Sequence, residues 1–291
     1  FAKRKMKAKL IVDVRDLWPE SLIGIGFFNK NWILKFAYKL EYKIYHAADN
    51  IIINSKGFYS YISSTGIAPN RISFMPNSLT EKELSTVPKK NSSDQLTVIY
   101  TGNIGLAQDI EKLILIAEHL KEYKNISFKI IGYGYQKKEL GESIEAKQLP
   151  NMQLIEPKNR EDTLAEIVDA DIAYVSLVEK DVFKKVLPGK VMDYMSMRKP
   201  IVADVAGYAK EVIEDAQCGF VTEDRTVAEL SDYIIKLAQD KQLRNRLGEN
   251  GYQYAFRTLR WKTNIETLLK ILEERDVTEE SVHVCMESLH K

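Results

Sequence analysis

From Leu96 to Val221 the chain alternates short β-branched runs with amphipathic stretches, joined by glycine- or proline-bearing turns, and this alternation restricts the fold more than any other feature. Leu96 to Tyr100, Phe128 to Ile131, Gln153 to Ile155, Ile172 to Val178, Ile201 to Val205 and Phe220-Val221 read as strands. Asp109 to Lys121, Arg160 to Val168 and Tyr208 to Glu214 read as helices between them. Strands joined through helices pair in parallel, and a parallel sheet needs helices on both faces. A shorter series precedes this one, with strands at Lys9 to Val14, Asp49 to Ser55 and Arg71 to Met75 and a helix at Lys56 to Thr65. The expected fold class is therefore α/β, with two βα series in tandem. Lys82 to Gln95, carrying Pro88, Lys89, Lys90, Asn91, Ser92 and Ser93, reads as the joint between them. Helices at Val227 to Asp240, Gln242 to Phe256 and Arg257 to Glu274 close the chain, before a polar and loosely ordered tail.

Composition excludes several classes. At 291 residues with 45% hydrophobic content the chain is long enough for two cores. Forty-two basic against forty-one acidic residues leave no field that argues for nucleic acid. No apolar run approaches the ~20 residues that span a bilayer, and no apolar core follows Phe1-Ala-Lys-Arg-Lys as in a signal peptide. Cys218 and Cys285 stand alone, His46, His119, His283 and His290 form no ligand pattern, and the expected compartment is reducing.

Four stretches carry chemistry. In L-P-G-K-V-M-D-Y-M-S-M-R-K-P-I-V, residues 187–202, Pro188 and Gly189 precede the periodic Val191, Met192, Met195 and Met197, which reads as a helix start. Free N–H groups and the dipole favour an anion such as a diphosphate there, and Lys190 adds a full charge. Thr101-Gly102-Asn103-Ile104-Gly105 and Ile131-Gly132-Tyr133-Gly134 are glycine turns at strand ends, where the backbone can approach an anion closely. Arg15-Asp16-Leu17-Trp18-Pro19-Glu20 leaves the end of the first strand, so Asp13, Arg15 and Asp16 are placed to face a crevice. Asp169-Ala170-Asp171 matches a D-x-D metal motif but joins a helix to a buried strand and reads as local capping. Ser21 to His46 sets Phe27, Phe28, Trp32 and Phe36 among Lys30, Lys35, Lys39 and Lys43 in a locally basic end that holds ten Lys and Arg against five acids in the first fifty residues. Such a helix suits an anionic membrane interface, or its apolar stripe faces a core.

Together D-V-R-D-L-W-P-E (13–20), A-D-N-I-I-I-N-S-K-G (48–57), M-P-N-S (75–78), T-G-N-I-G-L-A-Q (101–108), I-G-Y-G (131–134), P-G-K-V-M-D-Y-M (188–195) and C-G-F-V (218–221) resemble bacterial glycosyltransferase family 4. The branch resembled adds N-acetylated, often deoxygenated, amino sugars during capsule, O-antigen or colanic-type polysaccharide assembly. The resemblance implies two Rossmann-like domains facing each other, the GT-B fold. It divides the chain into an acceptor-side domain over 1–85, a linker over 86–95 and a nucleotide-sugar domain over 96–256. A helix over 257–275 then crosses back to the first domain, and a tail follows over 276–291. It implies a retaining transfer from a UDP-sugar to a lipid-linked saccharide acceptor, with no metal and no other cofactor, in the cytoplasm or on the inner face of the membrane. Gly102, Asn103, Gly105, Gly189 and Lys190 would hold the diphosphate, Gly132 and Gly134 would border the nucleotide, and Asp193 would bind the ribose hydroxyls in place of the usual Glu. Asp13, Arg15 and Asp16 would face the acceptor and the transferred sugar, and with Lys190 they form the expected catalytic set.

Lys185 stands where the broader family has the first Glu of its E-x7-E signature. The chain opens on a strand that the family places midway through its first domain, so that domain is expected to lack its first βα units. An inactive fragment that only binds nucleotide-sugars is the alternative. A dehydrogenase is disfavoured, because neither glycine turn completes G-x-G-x-x-G.

Overall fold

The computed structural model describes residues 3, 5, 8–26, 31–85 and 95–273. Apolar β-branched runs give β1 (Ile11–Val14), β2 (Asn50–Ile53) and β3 (Ile72–Phe74), which form a parallel sheet in that order. The helices of this part of the chain are α1 (Glu20–Gly24), α2 (Asn31–Ala47), α3 (Tyr59–Ser64) and α4 (Glu81–Ser85). The 21–46 stretch is thus two helices, with the longer starting at Asn31; Phe27, Phe28 and Lys30 lie outside the described residues.

The second series gives β4 (Leu96–Asn103), α5 (Ile110–His119), β5 (Ile126–Tyr133), α6 (Lys137–Ala146), β6 (Met152–Ile155), α7 (Arg160–Asp169) and β7 (Ile172–Ser176). It continues through α8 (Gly189–Ser196), β8 (Ile201–Asp204), α9 (Tyr208–Asp215) and β9 (Gly219–Val221). All six strands are parallel in the order β6-β5-β4-β7-β8-β9. The chain therefore winds outward from β4 on one side and returns to build β7 to β9 on the other. Ligands bind beyond the carboxyl ends of strands at such a reversal. Near-continuous burial along β7 and β8 fits strands covered on both faces.

Three helices complete the described residues: α10 (Val227–Gln239), α11 (Lys241–Thr258) and α12 (Trp261–Glu273). Helix α12 lies against the first sheet. Its Ile271 packs with Ile52 and Met75, Asn264 Nδ2 donates to Pro76 O at 2.7 Å, and Leu79 N donates to Leu259 O at 2.8 Å.

The sheets also meet at a second joint. Ser55 Oγ donates to the carbonyl of Lys185, and a Cβ at Gly57 would overlap that same carbonyl. Glycine at 57 lets the two backbones touch. Lys185 is thereby a joint residue, its ammonium 5.1 Å from the centre of the Tyr61 ring.

The span read as a joint begins later than Lys82. Thr80 and Glu83 cap each other reciprocally, Thr80 N to Glu83 Oε2 at 2.8 Å and Glu83 N to Thr80 Oγ1 at 3.2 Å, which starts α4 and buries Leu84. Residues 86–94 and the tail from 274 lie outside the described residues.

Candidate functional site

A cavity of about 340 Å³ opens at the carboxyl ends of β4 and β5, beside the turn that enters α8. Thr101, Gly102 and Asn103 form one wall, Ile131, Gly132 and Tyr133 a second, and Gly189, Lys190 and Asp193 a third; Pro157, Lys158 and Thr163 close it. Six of the residues expected at a donor site are thus brought together.

Helix α8 is held in place by its own tyrosine. The buried Tyr194 hydroxyl accepts from Thr101 N at 2.9 Å, which ties the helix to the end of β4. Lys190 stands four residues earlier on the same face. Its Nζ lies 3.5 Å from the centre of the Tyr100 ring and near the spot a side chain at Gly102 would fill. That nitrogen is buried and has no hydrogen-bond partner among the described residues. Desolvation lowers its pKa well below the ordinary lysine value, with the Asp193 carboxylate opposing. An ammonium facing a ring is partly compensated, yet three N–H donors remain unused. No side chain caps α8, whose N-cap is Pro188, and the space around Gly189 is open. Free amides and an unsatisfied cation so share one end of the cavity, an arrangement that receives an anion.

Asp193 lies one helical turn from Lys190. Arg160 holds it in a bidentate pair, Nη2 to Oδ1 at 2.8 Å and Nη1 to Oδ2 at 3.1 Å, while Arg160 Nε donates to Glu83 Oε1 at 2.8 Å. Burial raises the Asp193 carboxyl above the ordinary range, and Arg160 pulls it back. Arg160 was missed from sequence. It opens α7, where a basic residue runs against the helix dipole, and that is the one local oddity that could have drawn attention to it.

Two glycines expected here do other work. The amide of Gly105 is spent on Gln108 Oε1 at 3.1 Å, and Gly134, at φ +140°, packs where a Cβ would overlap the Ile104 carbonyl; neither lines the cavity. Gly132 lines it and is also required by packing, because a Cβ there would overlap the Gly102 carbonyl. The start of α5, the helix that follows the first glycine turn, is closed as well. Asp109 caps that helix through Lys112 N, Lys112 Nζ pairs with Asp204 at 2.5 Å, and Arg225 pairs with Asp204 at 3.1 Å. The end is closed by the chain's own charges, and none of residues 104–112 lines the cavity.

Asp13 lies within β1 of the other sheet, and Arg15 and Asp16 follow just past its end. Arg15 Nε donates to Asp13 Oδ2 at 2.8 Å and Nη1 to Asn77 Oδ1 at 2.5 Å, all largely exposed. Partial desolvation raises the Asp16 carboxyl. The expected catalytic set is therefore divided between two sheets. At the D-x-D stretch, Asp171 Oδ2 accepts from Thr97 N of β4 at 2.9 Å, so this carboxylate ties the entry of β7 to a neighbouring strand rather than capping locally. Among the described residues no group of three or more His, Cys, Asp or Glu is placed to hold a metal ion, and no helix is long and apolar enough to cross a membrane.

Comparison with known proteins bears on the family and the fold. The profile of the family described as "Glycosyl transferases group 1" matches residues 82–254. WcaI of Escherichia coli K12, named for colanic acid biosynthesis glycosyl transfer, is 22% identical over 218 residues, 70% of this chain and 53% of that one. The alpha-D-kanosaminyltransferase of Streptomyces kanamyceticus is 27% identical over 159 residues, 54% of this chain and 40% of that one. This chain thus spans about half the length of such relatives or less. Among solved structures, Anabaena HepE in complex with UDP and glucose superposes with a TM-score of 0.75 at 16% identity, over 94% of this chain and 74% of that one. The α/β fold with parallel sheets is shared with GT-B glycosyltransferases.

Proposed function

Because the chain belongs to the glycosyl transferases group 1 family, we propose that its cavity binds the diphosphate of a UDP-sugar and that the chain transfers that sugar with retention of configuration. Within that family the motifs favour the family 4 branch. The sugar is an N-acetylated, in some forms deoxygenated, amino sugar, and the acceptor is a lipid-linked saccharide of capsule or O-antigen assembly at the inner membrane face. The observation that carries the reading is the buried, unpartnered Nζ of Lys190 above Gly102, at the uncapped start of α8.

As the glycosidic bond breaks, negative charge grows on the diphosphate and positive charge on the sugar. Lys190 and the free amides at Gly189 meet the first, and this stabilisation strengthens as the reaction proceeds. Asp193, oriented by Arg160, accepts from the ribose hydroxyls. Asp16, with the Asp13–Arg15 pair beside it, orients the acceptor from the other sheet. The proposal assigns charge stabilisation to these side chains and amides and calls for no metal.

Calorimetry with UDP tests the donor half. Submicromolar to micromolar binding that Lys190→Ala weakens about a hundredfold supports it; unchanged affinity removes the diphosphate role. Radiolabelled transfer from UDP-N-acetylhexosamines to lipid-linked acceptors tests the second half. Binding without transfer leaves this chain a nucleotide-sugar-binding unit.

A further inference from the structure

The structure separates the two readings of the basic aromatic helix. At 3.6 residues per turn, residues four apart form rows along a helix. One row of α2, Ala37, Glu41 and Tyr45, is the buried one. Trp32, Phe36, Leu40 and Ile44 form another row, 71%, 65%, 40% and 41% exposed. Lys35, Lys39 and Lys43 run beside it, one position earlier at each step, and all three are exposed. The aromatic stripe therefore does not face the core.

Charge completes the picture. Glu41 is the sole acid of α2, and it is buried, accepting from the Tyr61 hydroxyl at 2.9 Å. The outward face thus carries three ammonium groups and no carboxylate. Lys35, Lys39 and Lys43 make no ion pair among the described residues. A second copy of the same face, packed over Trp32 and Phe36, would bring its own three lysines against these three with no carboxylate between them. An anionic lipid surface supplies both halves at once, headgroup charge for the lysines and an acyl boundary for the rings.

We propose that the outward face of α2 is a membrane-docking surface, on which Trp32, Phe36 and Leu40 insert at the headgroup boundary while Lys35, Lys39 and Lys43 engage anionic phospholipid. The proposal extends the lipid-linked acceptor reading to a particular surface, yet it is tested without donor or acceptor and so can fail by itself. Helix α2 belongs to the first sheet, whose strand ends carry Asp13, Arg15 and Asp16, so docking there holds the acceptor side of the protein at the lipid.

Sedimentation with phosphatidylcholine vesicles, with and without about 30% phosphatidylglycerol, tests it. The protein should pellet with the anionic vesicles, weakly with the neutral ones, and less as salt rises through the range where the Debye length shrinks. Replacing the three lysines with glutamine should reduce anionic binding roughly a hundredfold and remove the salt dependence. Trp32→Ser with Phe36→Ser should reduce it at least ~10-fold. Both variants should bind UDP as the unaltered chain does, which certifies their folding. The proposal is overturned if the unaltered protein stays in the supernatant, if the variants pellet equally, or if the aromatic substitutions instead dissolve a dimer.

Discussion

The carboxyl edges of the two sheets carry similar residues in opposite states. At the first, Arg15 is already paired with Asp13 and bonded to Asn77, in the open. At the second, Lys190 keeps its side-chain nitrogen buried beside a tyrosine ring with no acceptor among the described residues, while both oxygens of the neighbouring Asp193 already accept from Arg160. An exposed, satisfied pair contributes little to stability and offers a ligand little until it opens. A buried, unsatisfied cation weakens the ligand-free fold, and a dianion that reaches it is rewarded strongly. On the proposed function, the second edge binds the donor's charge tightly and the first orients the acceptor.

The largest way to break this contrast is at Lys190. Lys190→Met should lower UDP affinity about a hundredfold, from the loss of roughly 3 kcal/mol of charge-assisted bonding, and should raise the stability of the ligand-free protein by on the order of 1 kcal/mol in thermal melts. The pH dependence has a defined sign. Because burial lowers the folded-state pKa below 10.5, the unfolded chain holds more protons between the two values, and the unaltered protein gains stability as pH rises through that window. The Met variant should lose that slope. Arg15→Met at the other edge should change stability by less than ~1 kcal/mol and leave UDP binding as it was.

Next in size is Gly132→Ala, whose methyl would press on the Gly102 carbonyl and push β4 from β5. A loss of about 2–3 kcal/mol in denaturant titrations is expected. Gly189→Ala, with open space around it, should be nearly neutral for the fold.

Arg160→Gln sharpens the role of the ion pair. The Asp193 carboxyl, already raised by burial, should rise further without its partner, so UDP affinity falls about tenfold and weakens further as pH drops through the raised value. If Asp193 grips the ribose, the preference for UDP over 2′-deoxy-UDP should narrow in the same variant. The smallest expected effect is Asp13→Asn, neutral for UDP binding and visible only in kcat with acceptor present.

Much of the second sheet was legible because strand and helix periodicities alternate cleanly there and each strand ends in a turn signal. Lys190 and its glycine turn were legible for the same reason, since Pro188-Gly189 marks a helix start. The roles of Gly105 and Gly134 were not. A glycine needed for close backbone packing and one needed for ligand approach look alike until the carbonyl of Ile104 and the side chain of Gln108 are in place. The start of α5 misled for a related reason: the carboxylate that closes it, Asp204, comes from β8, far along the chain. Arg160 was hidden because its two partners, Glu83 and Asp193, lie 77 and 33 positions away. Thr80-x-x-Glu83 was readable as a capping box and would have shown that a helix starts inside the stretch read as a joint from Lys82.

The central claim is that the donor's diphosphate completes the charge of Lys190. Titration of UDP in buffers of differing ionisation enthalpy, at a series of pH values up to the ordinary lysine value of 10.5, measures protons taken up on binding. The account predicts net uptake by the unaltered protein, as the diphosphate restores the lowered lysine pKa, and none by Lys190→Met. Equal uptake in both proteins, or none in either with UDP bound at full affinity, would contradict it.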